Sequence, residues 1–425
     1  MTKDEPLNGF TGFSRKNNSF KYIDVASSEQ KKGAIPFDEA RIDEIDERER
    51  RWAWIEIDRS AIRHNVMVTK HLLRPGCKLM AVVKADGYGH GAVEVARTAL
   101  NSGADELAVA TVDEGIALRK AGISAPILLL AQPPATAAPL LLGYHITPAV
   151  YTPEFALAYG ETADAHHMKA PFFLALNTGM NRIGVRAEDV IEFERQVQFH
   201  RALQQVGTFT HFATADCPAN LDFEIQLKRF TEAIENMRMA GIDPGTVSAA
   251  NSAAIYRYPQ THFDMVRQGI SLYGYHPCPE TRGMVDLHPA MSVYARITDV
   301  KTVPMSEGVS YGLNYRSPGS VKICTVPLGY ADGLVRMLSG QTNFILDGQY
   351  CKQVGNICMD QCMFEVDLRT YGTRKRLDPQ IGDVVTIVGR DGDAVTTITE
   401  MAYNAHTIEH EITIGFSRRL PRFYV

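Results

Sequence analysis

Between Trp52 and residue 285, short apolar runs alternate with longer amphipathic stretches, and this alternation constrains the fold more than any other feature of the chain. Strands of a parallel sheet are buried on both faces and read as continuous apolar runs, whereas the helices that connect them carry a single apolar stripe. Strands are expected at Met80 to Val83, Leu107 to Thr111, Ile127 to Leu130, Ile146 to Val150, Phe172 to Leu176, Val206 to His211, Val247 to Ala250 and Met265 to Arg267. The segments between them, such as GAVEVARTALNSG and VDEGIALRKAG, end near a glycine, as a helix C-cap does. Eight such units in succession predict an α/β fold, a (β/α)8 TIM-like barrel over residues 52–285.

From residue 286 to 425 the texture changes to β-branched runs broken by Gly and Asp-Gly turns, as in VKICTVPLGYADG and GDVVTIVGRDGD. This predicts a separate, mainly-β C-terminal domain. Residues 1–51 are polar, end in the charged run DEARIDEIDERERR, and are expected to form a solvated extension ending in a helix, with Ile42 and Ile45 one turn apart.

The 44 basic and 49 acidic residues leave a net charge of −5, so no bulk positive field exists to hold nucleic acid. No apolar run approaches the roughly 20 residues that span a bilayer. A small-molecule ligand is therefore expected, with neither nucleic acid nor membrane as partner. The first thirty residues lack the apolar centre of an export signal, which points to a cytoplasmic location. Seven scattered cysteines suit reduced thiols; Cys358 and Cys362 lie in GNICMDQCMF, which alternates like a strand, and no metal site is expected.

Lys84 closes the run KLMAVVK and precedes the glycine-rich turn ADGYGHG. Barrel enzymes carry their catalytic groups at the C-terminal mouths of the strands. Partial desolvation there lowers an amine's pKa and makes it a nucleophile able to form a Schiff base. A lysine that only reaches from a strand end into water fits the same pattern.

AVVKADGYGHG resembles the pyridoxal-phosphate lysine motif of the alanine racemase family. The resemblance continues in order through LNTGMNRIG, THFATAD, NSAA, MVRQGISLYG, VSYGLNY, LGYADG and NICMDQCM, and covers residues 52–425. It implies a pyridoxal 5'-phosphate-dependent, fold-type III amino-acid racemase, a homodimer with shared active sites that converts L-alanine to D-alanine for cell-wall peptidoglycan. Carried over motif by motif, it implies that Lys84 holds the cofactor as a Schiff base and that Tyr88 and Ser252 contact its phosphate. Gly269 and Ile270 open a turn that offers the phosphate further donors. His211 matches the histidine that packs on the pyridine ring.

Arg267 matches an arginine that faces the pyridine nitrogen, where a permanently protonated guanidinium leaves the ring unprotonated and a weaker electron sink. That suits an enzyme that only moves one proton. Racemisation removes a proton from one face of the α-carbon and returns one to the other, so two acid/base groups are required. The resemblance assigns them to Lys84 and Tyr311, the tyrosine coming from the partner subunit's β domain. Arg182 and Met359 match residues that position the substrate carboxylate, while Asp360 and Tyr330 match the outer part of the site. Read without the resemblance, His211 and Tyr311 fit core packing and Arg267 fits an ion pair with Asp264.

Two positions depart from the family pattern. Ala175 stands where the family often has a lysine that becomes carbamylated and neutralises the arginine corresponding to Arg182, and Asn177 replaces an aspartate. A chloride ion held by Arg182 and Asn177 is the expected substitute, because a partly buried cation needs a counter-charge. In Thr407-Ile408-Glu409-His410-Glu411, His410 takes the place of a family tyrosine that bounds the substrate pocket. Serine or a broader range of amino acids therefore stays open beside alanine. A non-catalytic cofactor carrier is the alternative of another class; such proteins resemble the barrel alone, and the β domain with Tyr311 speaks against it.

Overall fold

The computed structural model describes residues 46–217, 221–367 and 376–425. The turn expected around Ile42 and Ile45 lies outside the described residues, which begin just before the single helical turn Glu47–Arg50. The residues after it are anchored: Arg51 Nη2 lies 2.7 Å from Asp332 Oδ1, a carboxylate with no exposed surface.

β1 (Ala53–Ile57) is followed by β2 (Lys78–Val82), β3 (Glu106–Val109), β4 (Ile127–Leu129), β5 (Ile146–Val150), β6 (Ala170–Asn177), β7 (Val185–Arg186), β8 (Leu203–Phe209), β9 (Thr246–Ser248) and β10 (Met265–Gln268). All but β1 and the two-residue β7 are staves of one parallel barrel. It closes because β10 pairs with β2, Met265 opposite Lys78, and β5 pairs with β6, Ala149 opposite Phe173. Each stave falls on an expected run. β6 and β8 start earlier than expected, at Ala170 and Leu203, because they pair with each other there, and the polar Gln204 and Gln205 masked that extension. The helices between staves are capped locally. At Val112–Lys120, for example, the Thr111 hydroxyl accepts from Glu114 N and the Glu114 carboxylate accepts from Thr111 N.

The C-terminal domain contains β11 (Met291–Arg296), β12 (Asp299–Val303), β13 (Gly308–Val309), β14 (Tyr315–Arg316), β15 (Val321–Val326), β16 (Asn343–Leu346), β17 (Gln349–Val354), β18 (Cys362–Asp367), β19 (Val384–Asp391), β20 (Ala394–Thr396) and β21 (Arg422–Tyr424). The main sheet runs β12-β15-β18-β17-β16-β19-β11-β1-β21. β1, expected to belong with the barrel, lies in this sheet, antiparallel to β11 with Ala53 opposite Ala295 and parallel to β21 with Ile55 opposite Arg422. Its Trp54 stacks on Tyr294 at 5.6 Å between ring centroids, which explains why the segment belongs here. The barrel layer starts with the next helix, Arg59–Leu72, capped by Asp58, whose Oδ1 accepts from Ser60 N and Ala61 N. All seven cysteines are free thiols.

Candidate active site

A cavity of about 520 Å³ opens at the C-terminal mouth of the barrel. Lys84, Tyr88, His211, Ser252, Arg267 and the turn Gly269–Ile270 line it together, from four separate stretches of the chain. Arg182, Asn177, Ala175 and His410 complete the wall.

Lys84 lies two residues beyond the end of β2, in a turn of unusual hand. The next residues are left-handed, with φ of 51° at Ala85, 54° at Asp86, 62° at Gly87 and 51° at Tyr88. That conformation costs an L-residue roughly 1–2 kcal/mol, so the surroundings must hold it. Glu114 Oε1 accepts from Ala85 N at 2.6 Å, and its Oε2 accepts from Ala110 N at 2.8 Å, tying the turn to the end of β3. Asp86 Oδ1 accepts from Ala92 N at 3.0 Å, and Arg422 Nε donates to Gly89 O at 2.7 Å. At Gly89 a Cβ would stand 2.2 Å from Thr413 O, so only glycine admits the C-terminal helix so close. The Lys84 ammonium sits 6.0 Å above the Tyr88 ring. Burial, then the Arg182 guanidinium, pulls its pKa below the ordinary lysine value, against an opposing pull from Glu114. That direction favours the neutral, nucleophilic form of the amine.

Opposite Lys84 is a small cradle. Gly269 N donates to Ser252 Oγ at 2.9 Å and Ser271 Oγ donates to the same oxygen at 3.1 Å, which leaves the Ser252 hydroxyl hydrogen to point elsewhere. A Cβ on Gly269 would lie 3.0 Å from the Tyr88 hydroxyl and 3.6 Å from Ser252 Oγ, so the glycine keeps the space between these hydroxyls clear. Tyr88 stacks on Tyr273 at 4.8 Å, and burial pushes its phenol up to about 12, keeping it protonated as a donor.

Arg267 is buried on β10. Nη1 donates to Ser248 Oγ at 2.7 Å, and Nη2 donates to Thr210 O at 2.6 Å and Ala249 O at 3.2 Å. The alternative ion pair with Asp264 does not form, because Asp264 turns to accept from Val247 N at 2.9 Å. Among the described residues Arg267 has no carboxylate partner; burial and Arg182 draw its pKa down to about 10, still cationic at neutral pH. His211 Nδ1 lies 3.5 Å from Arg267 Nη2. Desolvation, then Arg267, Arg182 and Lys84, hold the imidazole at about 3, so it is neutral.

The expected chloride site finds no support. Arg182 is exposed, so water solvates its guanidinium without a bound counter-ion. The Asn177 side chain is already committed: Nδ2 donates to Asn181 Oδ1 at 3.0 Å, and Oδ1 accepts from Gly179 N at 3.1 Å and Asn181 N at 3.0 Å. His410 does enter the site, its ring 5.7 Å from that of Tyr88 and its buried Nδ1 without a hydrogen-bond partner.

Tyr311, Tyr330, Met359 and Asp360 do not line the cavity. They sit on the β domain, where Tyr311 is 73 % exposed, Met359 53 % and Tyr330 42 %. Their loops are tied together: Asn356 Nδ2 donates to Tyr311 O at 2.7 Å, Tyr330 N donates to Cys358 O at 3.0 Å, and Ser310, at φ 68°, donates from Oγ to Asn356 O at 2.6 Å. Asp360 Oδ1 accepts from Arg419 Nη2 at 2.7 Å. Sequence reasoning missed Glu114, which fixes the lysine turn, and Thr210, whose carbonyl holds Arg267. The spacing of Thr111 and Glu114 is a capping signal, but nothing in it shows that the same carboxylate reaches Ala85.

Fold and site define a two-domain barrel enzyme with a desolvated lysine facing a hydroxyl-lined cradle. Residues 57–277 match the family model for the alanine racemase N-terminal domain and residues 290–424 that for the C-terminal domain. The chain is 42 % identical over 379 residues to an alanine racemase of Synechocystis sp., covering 88 % of this chain and all of that one. Among solved structures it is similar to the alanine racemase from Bacillus anthracis with bound L-Ala-P, at a TM-score of 0.82 and 34 % identity over 88 % of this chain and 95 % of that one. It is also similar to a histidine racemase from Leuconostoc mesenteroides, at a TM-score of 0.80 and 30 % identity over 88 % and 98 % of the two chains. The chain belongs to the alanine racemase family, and is an isomerase.

Proposed function

We propose that the chain racemises alanine with pyridoxal 5'-phosphate, as a cytoplasmic homodimer with shared sites, and supplies D-alanine for cell-wall peptidoglycan. The observation that carries this reading is the placement of Lys84 in one cavity with the Tyr88, Ser252 and Gly269 cradle and with Arg267. The residues fit the cofactor. Lys84, Arg182 and Arg267 give the wall three basic side chains against the single carboxylate of Asp216, which suits a phosphate-bearing anion. The cradle is a concave set of donors that one methyl group would fill.

Bound there, pyridoxal phosphate supplies an electron sink that acidifies the substrate's α-C–H. Everything else falls to side chains. Lys84 anchors the cofactor and carries a proton at one face of the α-carbon. Tyr88, Ser252 and the Gly269–Ile270 turn bind the phosphate. Arg267, with no carboxylate to share its protons, donates toward the ring nitrogen, and neutral His211 packs beside it. Arg182 and Met359 position the substrate carboxylate.

Tyr311 carries the proton at the other face, from the partner subunit. Its exposure supports this, together with that of Met359 and Tyr330 on loops tied to its own, because large exposed side chains there suit burial against a second copy. No helix among the described residues is long and apolar enough to cross a membrane. A second reading, serine racemisation, draws on His410, which lines the cavity at the position where the family pattern has a tyrosine.

The test is a panel of L-amino acids incubated with the cofactor-loaded protein and resolved by chiral chromatography. Alanine should be converted fastest. Faster conversion of serine would favour the second reading, and conversion of none would refute both.

A further inference from the structure

The last strand of the second sheet meets the turn that carries Lys84. β21 pairs in register with β1, Ile55 opposite Arg422 and Ile57 opposite Tyr424, and both isoleucines are buried. Ile55 N donates to Pro421 O at 2.9 Å and Val425 N donates to Ile57 O at 3.0 Å, so the sheet fixes this strand at both of its ends. Two of its side chains then touch the barrel. Arg422 Nε donates to Gly89 O at 2.7 Å, and a Cβ on Gly91 would stand 1.8 Å from the Tyr424 hydroxyl, which places that ring end directly against the turn.

The other donors of Arg422 go to the connection between the C-terminal helix and β21. Nη1 donates to Ser417 O at 3.3 Å and Leu420 O at 3.1 Å, and Nη2 donates to Phe416 O at 2.9 Å. Among the described residues, its hydrogen bonds all go to main-chain carbonyls, three in that connection and one in the lysine turn. A planar guanidinium holds such a set because its N–H groups diverge in fixed directions, whereas an ammonium has one point of origin. Gly89 is tied in turn to the residue beside Lys84, since Gly89 N donates to Ala85 O at 3.0 Å. The positive φ angles at Ala85, Asp86 and Tyr88 are strained, so the turn relaxes when such ties are cut.

We infer that Arg422 is a positioning residue for Lys84, coupling the last strand of the second sheet to the turn that holds the amine and the Tyr88 hydroxyl. The inference rests on the reading of Lys84 as the residue that anchors the cofactor and carries a proton. Arg422 does not line the cavity and acts only through where it holds Gly89. Lys84 and Tyr88 lie at the two ends of the turn, so its relaxation displaces the proton carrier and a phosphate donor together. Arg182 and Met359, on other segments, keep their places at the substrate carboxylate. Cutting the tie therefore slows the proton step without weakening substrate binding.

Arg422→Lys keeps the charge and loses the fork. In the cofactor-loaded full chain it should lower kcat about 10- to 100-fold while KM for alanine stays within about twofold. It should also weaken the visible circular dichroism of the bound cofactor, which is achiral when free and takes its signal from the geometry of the site. Amide exchange read by mass spectrometry should quicken in the peptide over residues 85–91 and stay unchanged in β2 and β10. Should the variant not fold, the wild type alone supplies a test: in rising urea, residues 85–91 and 422–425 should lose protection together as one unit. A folded Arg422→Lys with unchanged kcat and visible signal, or a turn that opens independently of the last strand in the wild type, would overturn the inference. A loaded wild type without any visible signal would overturn the reading of Lys84 on which it rests.

Discussion

Nδ1 of His90 lies 2.9 Å from the carbonyl oxygen of Tyr88, directly behind the left-handed turn that carries Lys84. A carbonyl only accepts, so Nδ1 holds the proton and Nε2, buried without a partner, stays bare. Burial holds this imidazole at about 4 against an ordinary 6.5. Between those values the unfolded chain binds a proton that the folded chain refuses. Stability is therefore full above pH 6.5 and falls as the pH drops toward 4, by about 2 kcal/mol from this residue at pH 5. His211, also held low, adds in the same direction. Urea unfolding at pH 7 and pH 5 should show the loss, and His90→Gln should reduce it. Equal acid sensitivity in the variant would count against the assignment.

The Arg182 guanidinium is the second cause, after burial, of the lowered Lys84 pKa. Removing that cation should let the amine's pKa rise, so that Arg182→Gln moves the pH dependence of pyridoxal-phosphate attachment to higher pH. Stopped-flow absorbance across pH 6 to 10 checks this. An unshifted profile would mean that burial alone sets the amine.

Gly269→Ala places a methyl group 3.0 Å from the Tyr88 hydroxyl. It should weaken cofactor retention about 10–100-fold, the worth of one or two charge-assisted hydrogen bonds, while changing the stability of the cofactor-free chain by less than about 1 kcal/mol. Equilibrium dialysis and thermal unfolding separate the two effects. Unchanged retention would place the phosphate elsewhere.

The barrel was legible because most staves are apolar runs, although Gln204 and Gln205 hid the start of β8. β1 was grouped with the barrel region and was not read as a strand of the second sheet, since nothing in AWIEI names Ala295 as its neighbour. Motifs located Lys84, Tyr88, Ser252 and Arg267, but the physical state of each came from contacts distant in sequence. Asp264, three residues before Arg267, looked like its partner until the backbone of Val247 claimed the carboxylate. Asn177 looked free to bind an anion, yet its own turn uses both ends of its amide. The consecutive positive φ angles at Ala85 and Asp86 were illegible, because neither residue favours them and Glu114 holds them from another helix.

Shared sites give a numerical expectation. Tyr311→Phe should slow racemisation about 10²- to 10⁴-fold, as loss of a positioned acid/base group does. Mixing it with equally inactive Lys84→Ala should make about half of the dimers hybrids, each with one intact site, and so restore about a quarter of wild-type activity. No recovery after demonstrated subunit exchange would place both groups in one chain's site.

The central claim, that Lys84 works with pyridoxal phosphate to exchange the α-proton of alanine, is tested most directly by proton NMR of L-alanine with the cofactor-loaded protein in deuterated water. The account requires the α-proton signal to disappear while chiral chromatography of the same sample shows D-alanine accumulating, with Lys84→Ala showing neither. Retention of the α-proton by a protein that has bound its cofactor, or undiminished exchange in Lys84→Ala, would contradict it.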